Sequence, residues 1–326
     1  MATPIRRGAA KALGLVLAGL GAAAALVSAD VIGLPSLVVA VALGVLVGNL
    51  GLVPSRCTPG LGIASSVLLR VGVVLLGLEL VFPDVIALGG KALAVVVATV
   101  AISFVGTVWV GRRLGLSDGL TTLVATGFSI CGISAIAAAT AVVDADEDEV
   151  AFSIALVTLC GTLAILVLPV LREPLGLDEE AYGAWVGASV HDVGQVVATA
   201  STAGSAALAV AIVVKLTRVL LLGPLVGVLA LRRGRSGHGE AWRLPLFIPL
   251  FVLASVVASL DLLSGETLEH AGDARTAIFA AALFAIGTRV RIRQLTRLGP
   301  RPLVLGLTSW ALIAVVAYVG ALVGWA

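Results

Sequence analysis

Cysteine is scarce: a chain of 326 residues holds only Cys57, Cys131 and Cys160. An odd count with no CxxC spacing argues against a disulfide framework and against a zinc site, and leaves small buried thiols as the simplest reading. Charge is also sparse. Only 12% of the residues are charged, against about 25% in a soluble domain. The longest polar connections run to roughly a dozen residues, so no loop domain is available for catalysis. HExxH, GxSxG, paired intramembrane aspartates and the GxxxxGK[ST] loop are all missing, which argues against an enzyme, a resident metal or cofactor, and an ATP-driven pump. A net charge of +2 gives no sign of a nucleic-acid partner.

What fills the chain is apolar. Sixty per cent of it is hydrophobic, in repeated runs near the roughly 20 residues that cross a bilayer as a helix. The fold class expected is an all-α polytopic membrane protein, one integral domain over 1–326, with lipid as its surroundings. Eleven segments stand out: 12–29, 33–53, 61–82, 92–111, 119–143, 150–171, 181–203, 206–231, 244–261, 275–290 and 302–325. The first resembles a secretory signal ending in Val27-Ser28-Ala29, but its long apolar run favours an uncleaved span.

Basic loops favour the cytoplasm. With Arg6, Arg7 and Lys11 inside, eleven crossings also bring Arg112 and Arg113, the loop 232–243 and the loop 289–301 inside. The acidic loops 144–149 and 261–274 then fall outside, and the acidic stretch 172–180 is the one exception, lying inside. If 119–143 folded back instead of crossing, every later loop would change sides, so the segment is expected to cross.

That fifth segment contains "GFSICGIS", whose Gly127, Ser129, Cys131, Gly132 and Ser134 interrupt a helix in mid-membrane. Lipid cannot satisfy the backbone groups such a break frees, so it must be buried in protein or line a cavity. The half-helix beginning near Gly132 would present amides suited to an anion, and Ser129 and Ser134 add hydroxyls. Close helix packing is the competing reading for Gly127 and Gly132.

The seventh segment carries His191 and Asp192 near its middle, with Gln195 one turn beyond His191. A carboxylate at the bilayer centre costs at least about 2.5–3.5 kcal/mol on insertion scales, so it requires a partner or a function, and an unperturbed imidazole titrates near neutral pH. Coupling to a proton or another ion is one reading, a structural ion pair the other. Lys215 and Arg218, three apart on the next segment, are candidate partners for Asp192. Arg70 and Glu79 complete the intramembrane charges and carry no assigned role. The cations exceed the carboxylates by one, which favours an anionic substrate.

Residues 77–93 align without gaps to 287–303, with Gly77 matching Gly287 and Leu88-Gly89 matching Leu298-Gly299. Two copies near 61–111 and 275–325 in opposite orientation would make an inverted repeat, an architecture of many secondary transporters.

The motifs "GFSICGISAIAA", "SVHDVGQVVATA" and "KLTRVLLLGP", in this order, resemble the YeiH family of bacterial inner-membrane proteins, described as sulfate exporters. The resemblance covers nearly the whole chain. It implies kinship with the cation/proton antiporter and bile-acid symporter group, which has inverted repeats and crossing broken helices. It also implies a secondary transporter exporting a small inorganic anion such as sulfate or a related sulfur oxyanion, with a proton or sodium ion coupled, and it leaves room for a homo-oligomer. The expected substrate residues are Gly127, Ser129, Cys131, Gly132 and Ser134; the expected coupling residues are His191, Asp192, Gln195, Lys215 and Arg218. The alternative is a sodium/proton-type antiporter using Asp192. One feature departs from the group: its crossing helices lie an odd number of spans apart, whereas the interrupted segments here are the fifth and the seventh.

Overall fold

A computed structural model describes residues 4–32, 34–78, 89–232, 246–260, 263–290 and 299–325. All eleven apolar segments lie in or overlap helix, and no strand occurs among the described residues. Six described helices are long and apolar enough to cross a membrane. The all-α polytopic class therefore holds, and the protein is membrane-embedded. The aligned stretches 77–93 and 287–303, Glu79, and most of the basic loops lie largely outside the described residues.

The helices group into two compact units. The first contains α1 (Pro4–Ile32), α2 (Ser36–Asn49), an apolar span Ser55–Gly77, α13 (Phe247–Ser259) and α14 (Gly265–Gly287). That span is built from a short 3-10 turn, α3 (Thr58–Ile63), a π-helical turn Ala64–Leu68 and α4 (Leu69–Gly77). α14 packs on α1, α2 and α4. The π turn turns Ser65 towards Arg289, whose Nη1 donates to its hydroxyl at 3.2 Å. Arg70 stays at the surface of this unit, its guanidinium 5.9 Å from the Phe247 ring centre.

The second unit holds the site. Its helices are α5 (Gly89–Arg113), α6 (Asp118–Ser129), α7 (Ile133–Ala139), α8 (Glu147–Arg172), α9 (Glu179–Ser189), α10 (Val193–Ala200), α11 (Ser205–Leu220), α12 (Leu222–Arg232) and α15 (Pro300–Trp325). α8, with 26 residues, is about 39 Å long at 1.5 Å per residue and spans the hydrocarbon core of about 30 Å. α6 and α9, with 12 and 11 residues, reach only about 17–18 Å, half of that depth.

Neither interrupted segment crosses; each folds back on itself. At the first, Ser117 caps α6 by accepting from Leu120 N at 3.2 Å and donates to Glu149, which belongs to the capping box of α8. A methyl group on Gly119 would stand 2.6 Å from the carbonyl oxygen of Asp144. The start of α6 and the residues after α7 therefore share one end, and α6–α7 is a re-entrant hairpin. At the second, Tyr182 OH donates to Thr199 O at 3.3 Å, and a methyl on Gly204 would stand 2.9 Å from Glu179 Oε2. α9–α10 is a hairpin too.

These two hairpins open towards opposite faces. The first has its mouth at the beginning of α8, beside Glu149. The mouth of the second lies at the end of α8, where Arg172 stacks 5.6 Å above the Tyr182 ring. One full crossing separates them, so they are inverted with respect to each other. This corrects the expectation that 119–143 crosses. Loop charges do not reveal this because two hairpins cancel: the second restores every side that the first reverses. Only the connections between the hairpins change sides: the acidic stretch 172–180 leaves the side of the basic loops and the acidic loop 144–149 joins it, so the exception to the charge rule passes from one acidic loop to the other.

Candidate functional site

The hairpin tips are built by local backbone chemistry. α6 ends at Ser129, Ile130 leaves the helical region (φ −114°, ψ −98°), and Gly132 adopts φ +70° as the cap of α7. Only glycine takes that left-handed conformation at no steric cost, so Gly132 is the residue that permits this turn. In the second hairpin Val190 is extended and Asp192 caps α10: its carboxylate accepts from Gly194 N at 2.8 Å, while Gln195 Oε1 accepts from Asp192 N at 3.1 Å. Serine- or aspartate-type caps with a Glu or Gln three residues on satisfy orphan amides reciprocally.

The tips meet. The Phe128 and His191 rings lie 4.4 Å apart at 57°. A methyl on Gly132 would stand 3.7 Å from His191 Cβ. Both tips also rest on the middle of α8. Val157 lies 3.0 Å from where a methyl on Gly132 would be, and Gln195 Nε2 donates to Thr158 O at 3.5 Å. Gly161 leaves the notch that Gln195 fills; a methyl there would collide with the carboxamide.

Two cations on α11 close the arrangement. Lys215 Nζ donates to Ile130 O at 2.7 Å, Val190 O at 2.9 Å and His191 O. Arg218 donates through Nε to Ser129 O at 3.2 Å, and through Nη2 to Phe128 O and Ser129 O, each at 2.9 Å. Its Nη1 donates to Gly187 O at 3.2 Å and Val190 O at 3.0 Å. Both side chains are fully buried. The three donors of an ammonium and the five of a guanidinium are thus matched by carbonyls at the C-terminal ends of α6 and α9. Each such end carries about half a negative charge, and its last carbonyls have no intrahelical partner. The cations supply both needs.

The expected residues therefore separate by role. Ser129, Cys131, Gly132, His191, Asp192, Gln195, Lys215 and Arg218 come together at the tips. Gly127 lies within α6, where a methyl would stand 2.9 Å from Ile136 Cδ1 and 3.0 Å from Val157 Cγ2, and it serves packing. Ser134 is exposed on α7. The hydrogen bonds described for Lys215 and Arg218 run to backbone carbonyls, and the Asp192 carboxylate, for which they were candidate partners, accepts from Gly194 N. Ser129 Oγ and both ring nitrogens of His191 are buried with no partner at hydrogen-bond geometry. Asp192 is partly exposed.

Sequence reasoning missed Phe128, Ile130, Val190, Thr158 and Gly161, which act through rings, carbonyls and the absence of a side chain. A signal for them exists. The caps Gly132 and Asp192 lie 60 residues apart, from 132 to 192. At the same offset Asp118 matches Asp178, Gly127 matches Gly187, Ser129 matches Ser189 and Arg172 matches Arg232. The hairpin with α8 and the hairpin with α11–α12 are the two inverted copies in this unit, and the tip position that holds Cys131 in one holds His191 in the other.

Similar proteins are numerous. The family described as conserved hypothetical protein 698 matches residues 12–306. A UPF0324 membrane protein of Corynebacterium glutamicum is 40% identical over 295 residues, covering 89% of this chain and 86% of the relative. One from Agrobacterium fabrum is 35% identical over 288 residues, covering 87% and 83% respectively. One from Yersinia pestis is 34% identical over 325 residues, covering 92% and 90%. No solved structure matches the chain.

Proposed function

The chain belongs to the UPF0324 family of membrane proteins, and from that premise we propose that it is a secondary transporter, not an enzyme, moving a small anion such as sulfate or a related sulfur oxyanion. A proton or sodium ion is coupled to it, and the bacterial inner membrane, with the N-terminus cytoplasmic, is its place. The observation that carries this reading is the meeting of two inverted re-entrant hairpins against α11 in the middle of the unit. Non-helical backbone at membrane depth is tolerated only where it is buried in protein or lines a cavity, and such breaks at the interface of inverted repeats are where transporters bind substrate. The sign of the charge supports an anion. Two cations, Lys215 and Arg218, stand at the tips with one carboxylate, Asp192, and the helix ends largely offset one another.

Within this reading the break at 127–134 contributes Ser129, Cys131, Gly132 and the freed amides, and Asp192 with His191 and Gln195 contributes coupling. Export is the direction that the family resemblance implies. A cation antiporter is the second reading, favoured by the partial exposure of Asp192. Reconstitution into liposomes separates the two: labelled sulfate, sulfite or thiosulfate should move, with flux altered by an imposed pH gradient. Sodium or proton exchange without any anion flux would replace the first reading by the second.

A further inference from the structure

Resting on the anion-transport reading, we infer that Asp192 and the transported anion occupy one place, the N-terminus of α10 where it meets the first hairpin, so that the anion binds together with a proton and the two cross in the same direction. Three observations converge there. The first is adjacency: a methyl on Gly132 would stand 3.8 Å from the carbonyl carbon of His191, one bond from the Asp192 nitrogen. The Asp192 carboxylate is already the anion held by this helix end, through Gly194 N at 2.8 Å.

The second is unmet polarity. The hydroxyl of Ser129, on the facing tip, is buried without a partner, and the imidazole of His191, next to the cap, has the Phe128 carbonyl beside it and at least one ring nitrogen without a partner. Buried polar groups in native proteins are satisfied by protein, water or ligand, and an oxyanion offers acceptors to a donor such as the Ser129 hydroxyl. The third is access. Asp192 is partly exposed, whereas Lys215 and Arg218 are fully buried and have their donors matched by carbonyls. The cations therefore supply a fixed positive field, and the exchangeable contacts are those around Asp192.

An oxyanion entering this place comes within a few ångströms of the carboxylate, and like charges that close exclude each other. Protonating Asp192 removes the conflict. Among the described residues, the other titratable groups near it are His191 beside it, Cys131 on the first tip, and Lys215 and Arg218 on α11. None of them is a second carboxylate, so the exclusion is specific to Asp192. Since occupancy requires both ligands, proton and anion travel as a pair, and their two gradients together set the direction.

The test uses the purified full-length protein and labelled sulfate, whose charge is constant between about pH 8 and about pH 5. Sulfate affinity should rise as pH falls, by at most about tenfold per pH unit for one linked proton. Adding sulfate to the weakly buffered protein should take up one proton per anion bound. Asn caps helices about as well as Asp, so Asp192→Asn should fold, bind sulfate at every pH with the affinity that wild type reaches in acid, and take up no proton. A pH-independent wild type, affinity that weakens in acid, or a slope that survives in Asp192→Asn overturns the linkage, the last assigning the proton to His191. If the variant fails to fold, proton uptake by wild type decides alone. Wild type that binds none of sulfate, sulfite or thiosulfate at any pH overturns the anion reading itself, an outcome distinct from binding without a slope.

Discussion

The two hairpins have the same outline and opposite chemistry at their tips. The first turns through a glycine with a left-handed backbone and has no side-chain cap on its returning helix. The second turns through extended backbone and closes its returning helix with Asp192 and Gln195. One tip thus leaves its returning helix without a side-chain cap, and the other is self-capped by a group that can gain or lose a proton. Pseudo-symmetry supplies a shared frame, and the departures from it mark where chemistry is added. The same contrast appears in the supporting helices. At the offset of 60, Arg218 on α11 corresponds to Thr158 on α8, and Lys215 corresponds to Ala155. One copy carries both cations and clamps both tips.

The sharpest way to break the comparison is to remove a shared clamp. Arg218→Met leaves the carbonyls of Phe128, Ser129, Gly187 and Val190 short of donors. With about 1–3 kcal/mol for each buried group left unsatisfied, loss of the folded state is expected, read as a collapsed melting transition in detergent. Arg218→Lys should not rescue it, because three donors cannot replace five. A near-normal transition for Arg218→Met would remove the clamp from the account.

Next comes the opposed orientation of the hairpins. Cysteines introduced at Gly115 and Asp146 should be labelled from one side of the membrane, and cysteines at Gly176 and Gly204 from the other. Labelling of positions 115 and 146 from opposite sides would turn the first hairpin back into a crossing.

Smaller effects distinguish the tips. Gly132→Ala forces a left-handed alanine beside Val157, a strain of about 1–3 kcal/mol, and transport should fall while Asp192→Asn retains near-wild-type stability. Equal losses of stability in the two variants would erase the difference between the tips. Gly127→Ala meets Ile136 Cδ1 and Cγ1 at 2.9 Å and Val157 Cγ2 at 3.0 Å in the buried core and should cost about 1–3 kcal/mol of stability by overpacking, with transport retained in the folded protein. A loss of transport as large as that of Gly132→Ala would return Gly127 to the binding loop.

Much of this was legible in the sequence. The breaks at 127–134 and 190–195 stand out as small and polar residues inside apolar runs, and Lys215 and Arg218 stand out because lipid penalises them. Their assembly at one place follows from the same penalty, since each needs what the other breaks expose. Two things were hidden. Loop charges register only the parity of crossings, so a pair of hairpins leaves no trace outside residues 144–180. The partners of the cations are backbone carbonyls of Phe128, Ile130 and Val190, and a carbonyl belongs to every residue type, so no side chain announces it. The even spacing of the interrupted segments, which conflicts with crossing helices, fits hairpins: two folded-back segments flanking one crossing are inverted relative to each other.

The carbonyl of Val190 is shared, receiving Lys215 at 2.9 Å and Arg218 at 3.0 Å while the same two side chains hold Ile130 and Ser129 of the other tip. Mechanically this is a pinned joint: parting the tips means stretching several charge-assisted bonds at once in a dry interior. Each such bond is stronger than a neutral one, so small thermal excursions leave the joint intact. The soft coordinates of this unit are then displacements that carry both tips and α11 together, and rates of turnover should follow how the surrounding lipid resists moving a body of that size.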